Sequence, residues 1–139
     1  MIRQSLGAFI AVLTLSIVIG VPRKFIFYSG LIGFVGWFIY LFINELEFST
    51  VFSYFVAALV VALLSHSFAR IFKAPVTVFL IAGILPLVPG TILYRAVYSM
   101  IRNDSTLANY YLTQTLQIAG VIALAIFVMD SIFRIFQKK

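Results

Sequence analysis

Cysteine is absent from the chain, which excludes disulfides, thiolate metal sites and thiol catalysis within it. Charge is nearly as scarce: only 10% of the 139 residues are charged, and the acids number four against ten Lys and Arg. A soluble domain of this size could not cover its surface with so few charges. No carboxylate falls in the middle of an apolar run, histidine occurs once, and there is no His-rich ligand set or Ser–His arrangement. Metal catalysis and hydrolysis therefore lack their residues; no enzyme activity, metal or cofactor is expected. The net charge of +6 does not indicate nucleic acid, because no basic, aromatic-interleaved patch lies outside the apolar runs.

What is there is apolar sequence. The chain is 63% hydrophobic with a mean hydropathy of +1.14, and its apolar runs recur at about the 20 residues that cross a bilayer. The composition predicts an all-α integral membrane protein forming a single transmembrane domain over residues 1–139, with no room for a separate soluble domain. Met1-Ile2-Arg3 and the run to Val21 resemble a signal peptide in charge and length. No A-x-A cleavage pattern follows, so the segment reads as an uncleaved first span.

Five spans are predicted. They run from about Ser5 to Val21, Phe25 to Ile43, Val51 to Ala69, Val76 to Ile101 and Ala108 to Phe133. Pro22-Arg23-Lys24 reads as a tight turn, and Arg102-Asn103-Asp104-Ser105 as a polar loop. Arg23, Lys24, Arg70, Lys73, Arg134, Lys138 and Lys139 then fall on one side, and Arg3 and Arg102 on the other. Seven against two is a positive-inside bias placing the N-terminus outside and the C-terminus in the cytoplasm. A re-entrant fourth segment would erase most of that bias. A weak parallel repeat is also visible: Pro22, Gly30, Gly33 and Gly36 recur 53 residues later as Pro75, Gly83, Pro86 and Pro89.

The fourth span carries the strongest functional signal. Pro86 and Pro89 each remove a backbone donor and clash with the carbonyl four residues earlier, which frees the carbonyls of Ala82 and Leu85. Gly90 follows directly. Such a break survives in hydrocarbon only where protein or a polar cavity satisfies it, and broken membrane helices are where transporters commonly bind substrate. Amides near Gly90-Thr91-Ile92 would favour a carboxylate. Carbonyls near Ile84-Leu85 would favour an ammonium group or cation, and the hydroxyls of Thr77 and Thr91 could add contacts. Arg95, roughly 7–8 Å along a helix from Gly90, either receives a substrate carboxylate or snorkels to the outer interface beside Tyr94 and Tyr98. Gln114 and Gln117 share a helix face and could line a hydrophilic path.

Other residues read less sharply. His66 could relay a proton or be a hydrogen-bonded packing residue. Ala58, Ala62, Ser65 and Ala69 form a small-residue stripe suited either to internal packing or to a subunit interface. Asp130 and Arg134, spaced i, i+4, read as an interfacial ion pair.

Val21-Pro22, Arg70-x-x-Lys73-Ala74-Pro75, and the run Ile84-Leu85-Pro86-Leu87-Val88-Pro89-Gly90 through to Tyr94 together resemble the bacterial threonine/serine exporter family. The resemblance is to its short membrane module, found as the C-terminal half of fused exporters or as a small separate subunit. It extends from about Val21 into the fifth span; the first span carries no matching motif. It implies export of small amino acids, threonine and serine, or of dicarboxylates such as succinate, across the bacterial inner membrane. It also implies a larger companion subunit in a hetero-oligomer, and self-association is a further possibility. Pro86, Pro89, Gly90 and Tyr94 are positions where the motif matches, and no family catalytic residue is carried over. The competing expectation is a non-transporting scaffold that stabilises a partner through surfaces around Gly33 and Ala62.

Overall fold

The computed structural model describes residues 2–137; Met1, Lys138 and Lys139, the last two counted in the charge bias, lie outside it. Six α-helices follow one another: α1 (Ile2–Ile19), α2 (Arg23–Glu45), α3 (Thr50–Phe72), α4 (Val76–Ile84), α5 (Gly90–Ile101) and α6 (Ser105–Gln137). A 3-10 turn, Leu85–Leu87, joins α4 to α5. No strand occurs among the described residues. The helices α1, α2, α3 and α6 are each long and apolar enough to cross a membrane, and α4 with α5 meets the same test as one pair bent by 48°. This architecture of four long apolar helices and one bent pair is consistent with about five spans, the fourth broken. α6 has 33 residues, or roughly 50 Å against a hydrocarbon core of about 30 Å, so its ends extend beyond the apolar layer.

The corners are set by local chemistry. At the end of α1, Gly20 takes a left-handed φ of 95°, and the Val21 amide donates back to the Ser16 carbonyl at 2.9 Å. Pro22 then starts α2. At the end of α3, Lys73 takes a φ of 56°, the Ala74 amide donates to the Ala69 carbonyl at 3.0 Å, and Pro75 starts α4. Both are left-handed helix stops closed by a six-to-one bond and followed by a proline that cannot continue the helix. The 53-residue repeat therefore coincides with two geometrically equivalent corners, Gly20-Val21-Pro22 and Lys73-Ala74-Pro75. The first corner lies at residues 20–22, and Arg23 and Lys24, read as turn residues from the sequence, open α2 instead. Proline at the N-cap with extended backbone lets the next residue enter the helix at once.

The core lies where α2, α3 and α4 meet. Ile32, Val61, Phe79 and Leu87 are fully buried there, with an aromatic cluster of Phe25, Tyr28, Phe68, Phe72 and Phe79 toward the end that carries Arg23, Arg70 and Lys73. Glycines determine how closely the helices approach. A Cβ on Gly33 would stand 2.5 Å from Val12 of α1, one on Gly83 would stand 2.7 Å from Ile32 of α2, and one on Gly36 would collide with Val61 of α3. Ala58, Ala62, Ser65 and Ala69 are all buried within the chain, which assigns the small-residue stripe to internal packing. α6 closes the bundle against α3, whereas α5 packs against α6 alone. Many large apolar side chains remain exposed, including Ile10, Val18, Leu116 and Phe127, as lipid-facing surfaces require.

Candidate functional site

The break between α4 and α5 is more fully bonded than its prolines suggest. The Val88 amide donates to the Leu85 carbonyl at 3.2 Å, and the Gly90 amide to the Val88 carbonyl at 2.7 Å. Pro89, at φ −78° and ψ 55°, is the centre of an inverse γ-turn. The expectation of a free Leu85 carbonyl and a free Gly90 amide is thus corrected: a 3-10 bond takes up the carbonyl that Pro89 leaves without its α-helical donor, and the γ-turn bond takes up the amide at the head of α5. The amides left at the head of α5 are those of Thr91 and Ile92, too early in the helix to find an intrahelical acceptor.

The residues singled out from sequence do not converge on one point. Pro86 borders a small cleft with Gln4 and Ala8 of α1 and Trp37 of α2. Thr77 lies in another, beside Gly20 and Pro22. Pro89 is half-buried, while Gly90, Thr91, Tyr94 and Arg95 are exposed; Tyr94 is 68% exposed, and a Cβ on Gly90 would meet nothing within 4 Å. Gln114 and Gln117 share a polar cleft with Ser49, Asn109 and Thr113, between α6 and the start of α3. Arg95 faces a different one, between α5 and α6.

That second cleft, of about 530 Å³, is lined by Arg95, Tyr98, Ser99, Arg102, Asp104 and Tyr111 among others. Arg102 Nη1 donates to Tyr98 Oη at 3.3 Å, and its guanidinium carbon stands 5.5 Å over the Tyr98 ring. Tyr94 stacks on Tyr98 with centroids 6.3 Å apart. Asp104 caps α6, its Oδ1 accepting from the Leu107 amide at 3.2 Å. Arg102 is the C-cap of α5, where the predicted polar loop begins. The sequence signal for its place in the cleft is the seven-residue interval from Arg95, about two helical turns, which keeps both residues on one face.

At the opposite end of α6 a second polar cluster forms. His66 is 7% exposed, stacks on Phe133 at 4.7 Å, and has Nε2 4.0 Å from Asp130 Oδ1. The other Asp130 oxygen pairs with Arg134 Nε at 3.0 Å, the i, i+4 pair read from sequence. Arg70 Nη2 donates to the Phe133 carbonyl at 2.9 Å and lies over the same ring. The histidine therefore has an acid beside it on a neighbouring helix, a pairing that only the α3–α6 contact creates. No group of three His, Cys, Asp or Glu placed to hold a metal occurs among the described residues.

A family model described as Threonine/Serine exporter, ThrE, matches residues 4–132. The match takes in α1, where the recognisable sequence motifs stop. No curated protein and no solved structure matches the chain.

Proposed function

The chain belongs to the threonine/serine exporter family, a transporter family, and from that premise we propose that it is one membrane subunit of an exporter carrying small amino acids or small carboxylates out of the bacterial cytoplasm. The observation that supports this most is the incomplete enclosure of the broken span. Gly90, Thr91 and Tyr94 sit beside a 48° bend in a membrane helix, yet they are exposed, because α5 has only α6 as a neighbour. A substrate held there in a membrane would need further protein around it, which fits a larger companion subunit carrying the other membrane half. The protein lies in the inner membrane, with the N-terminus outside and the C-terminus in the cytoplasm. The scaffold alternative is less well supported, since the faces it would use, around Gly33 and Ala62, are filled by the chain's own helices.

Efflux of labelled threonine and succinate from bacteria expressing this chain, alone and with its genomic neighbour, tests the reading. Efflux with the neighbour and none without it is the expected outcome. A stable assembled complex that exports neither solute would overturn it.

A further inference from the structure

We infer that the α5–α6 cleft is a carboxylate-binding site at the outer mouth of the transport path, with Arg95 and Arg102 as its two cationic contacts; this rests on the exporter reading and its orientation. Among the described residues, neither arginine has a carboxylate within 4.0 Å. Asp104 shares the cleft, but one of its oxygens is committed to the head of α6. The cleft therefore carries two cationic side chains against one acid. An arginine in or near an apolar span is costly and normally pairs or lines a watery space, and Arg95 lines this one.

The geometry narrows the ligand. The arginines stand seven residues apart, Arg95 within α5 and Arg102 at its C-cap, about two turns or roughly 10 Å along the axis, with Tyr98 between them, and the Tyr98 hydroxyl and ring hold Arg102 in place. A guanidinium presents a planar fork that matches a carboxylate through paired hydrogen bonds. A volume of about 530 Å³ suits a small solute, and the buried Ser99 and Tyr111 on its walls supply hydroxyls. A dicarboxylate would engage both arginines. An amino acid would place its carboxylate on an arginine and its ammonium on the free oxygen of Asp104. Carboxylate recognition is common to both.

Binding of labelled succinate and labelled threonine to the full-length chain, in nanodiscs of zwitterionic and then of anionic lipid, provides the test. Saturable binding of one or both solutes is expected, weakened about tenfold or more by Arg95→Gln and by Arg102→Gln and unaffected by Arg23→Gln at the far end of the molecule. Asp104→Asn, which keeps a good helix cap, separates the ligands: it strengthens succinate binding by removing a like charge and weakens threonine binding by removing the ammonium partner. Three results would overturn the site: no binding in either lipid by the wild-type chain, alone or assembled with its genomic neighbour, binding indifferent to both arginine substitutions, or competition by anionic lipid that marks the occupant as a headgroup phosphate. Because the readout is binding, arginine-dependent binding without export fails the exporter reading alone. Wild-type export with arginine-independent binding fails the cleft alone.

Discussion

Arg95 and His66 are ionisable side chains that the sequence places within predicted spans, and the fold treats them oppositely. Arg95 is exposed on α5, while His66 is enclosed between α3 and α6 against Phe133 and Asp130. The surface Asp130–Arg134 pair adds little on its own; the stacked ring is the larger contact. His66→Ala is expected to cost about 1–3 kcal/mol by opening the α3–α6 seam, seen as a lower unfolding temperature in detergent. His66→Gln retains a polar group there and is expected to keep export near the wild-type rate. Loss of export by an assembled His66→Gln protein would instead assign His66 to proton relay. The sequence showed both residues to be unusual. It could not show that His66 has an acid partner, because Asp130 is 64 positions away and only helix pairing brings it close.

At the scale of the helices, glycine governs contact. α2 receives α1 across Gly30 and Gly33 and α3 across Gly36, and Gly83 lets α4 close onto Ile32. Gly33→Leu would drive a branched side chain into Val12, with a cost of about 1–3 kcal/mol typical of overpacking. Reduced accumulation in the membrane and lower resistance to protease at α1 are expected. Gly7→Ala, where nothing stands within 4 Å, is expected to leave both unchanged or gain up to about 1 kcal/mol of helix propensity. The helices themselves were legible, and their predicted limits fall within a few residues of the observed ones, because length and hydropathy are local properties. The state of the break was not. Prolines reveal which α-helical bonds are lost, but the 3-10 and γ bonds that replace them depend on the backbone path through Leu85 to Gly90.

For the whole molecule, the charge bias predicts that α4 and α5 cross the membrane completely. The absence of native cysteine makes this directly measurable with single substitutions at exposed sites. Ser105→Cys is expected to react with an impermeant thiol reagent in intact cells, and Ile71→Cys only after the membrane is opened. Reaction of both on the same side would make the bent pair re-entrant and leave four spans.

Membrane residence, the all-helical class, the order of the spans and the position of the break were determined by the sequence alone. Each follows from composition, apolar run length or proline chemistry acting within a few residues. Tertiary structure decided what faces what. It buried the alanine stripe inside the chain, separated Gln114 and Gln117 from Arg95, joined Arg102 to Arg95 across from Asp104, and left Gly90 uncovered. These outcomes depend on which helix surfaces can approach closely, and that is settled by pairs such as Gly33 with Val12 and Gly83 with Ile32, whose members lie far apart along the chain.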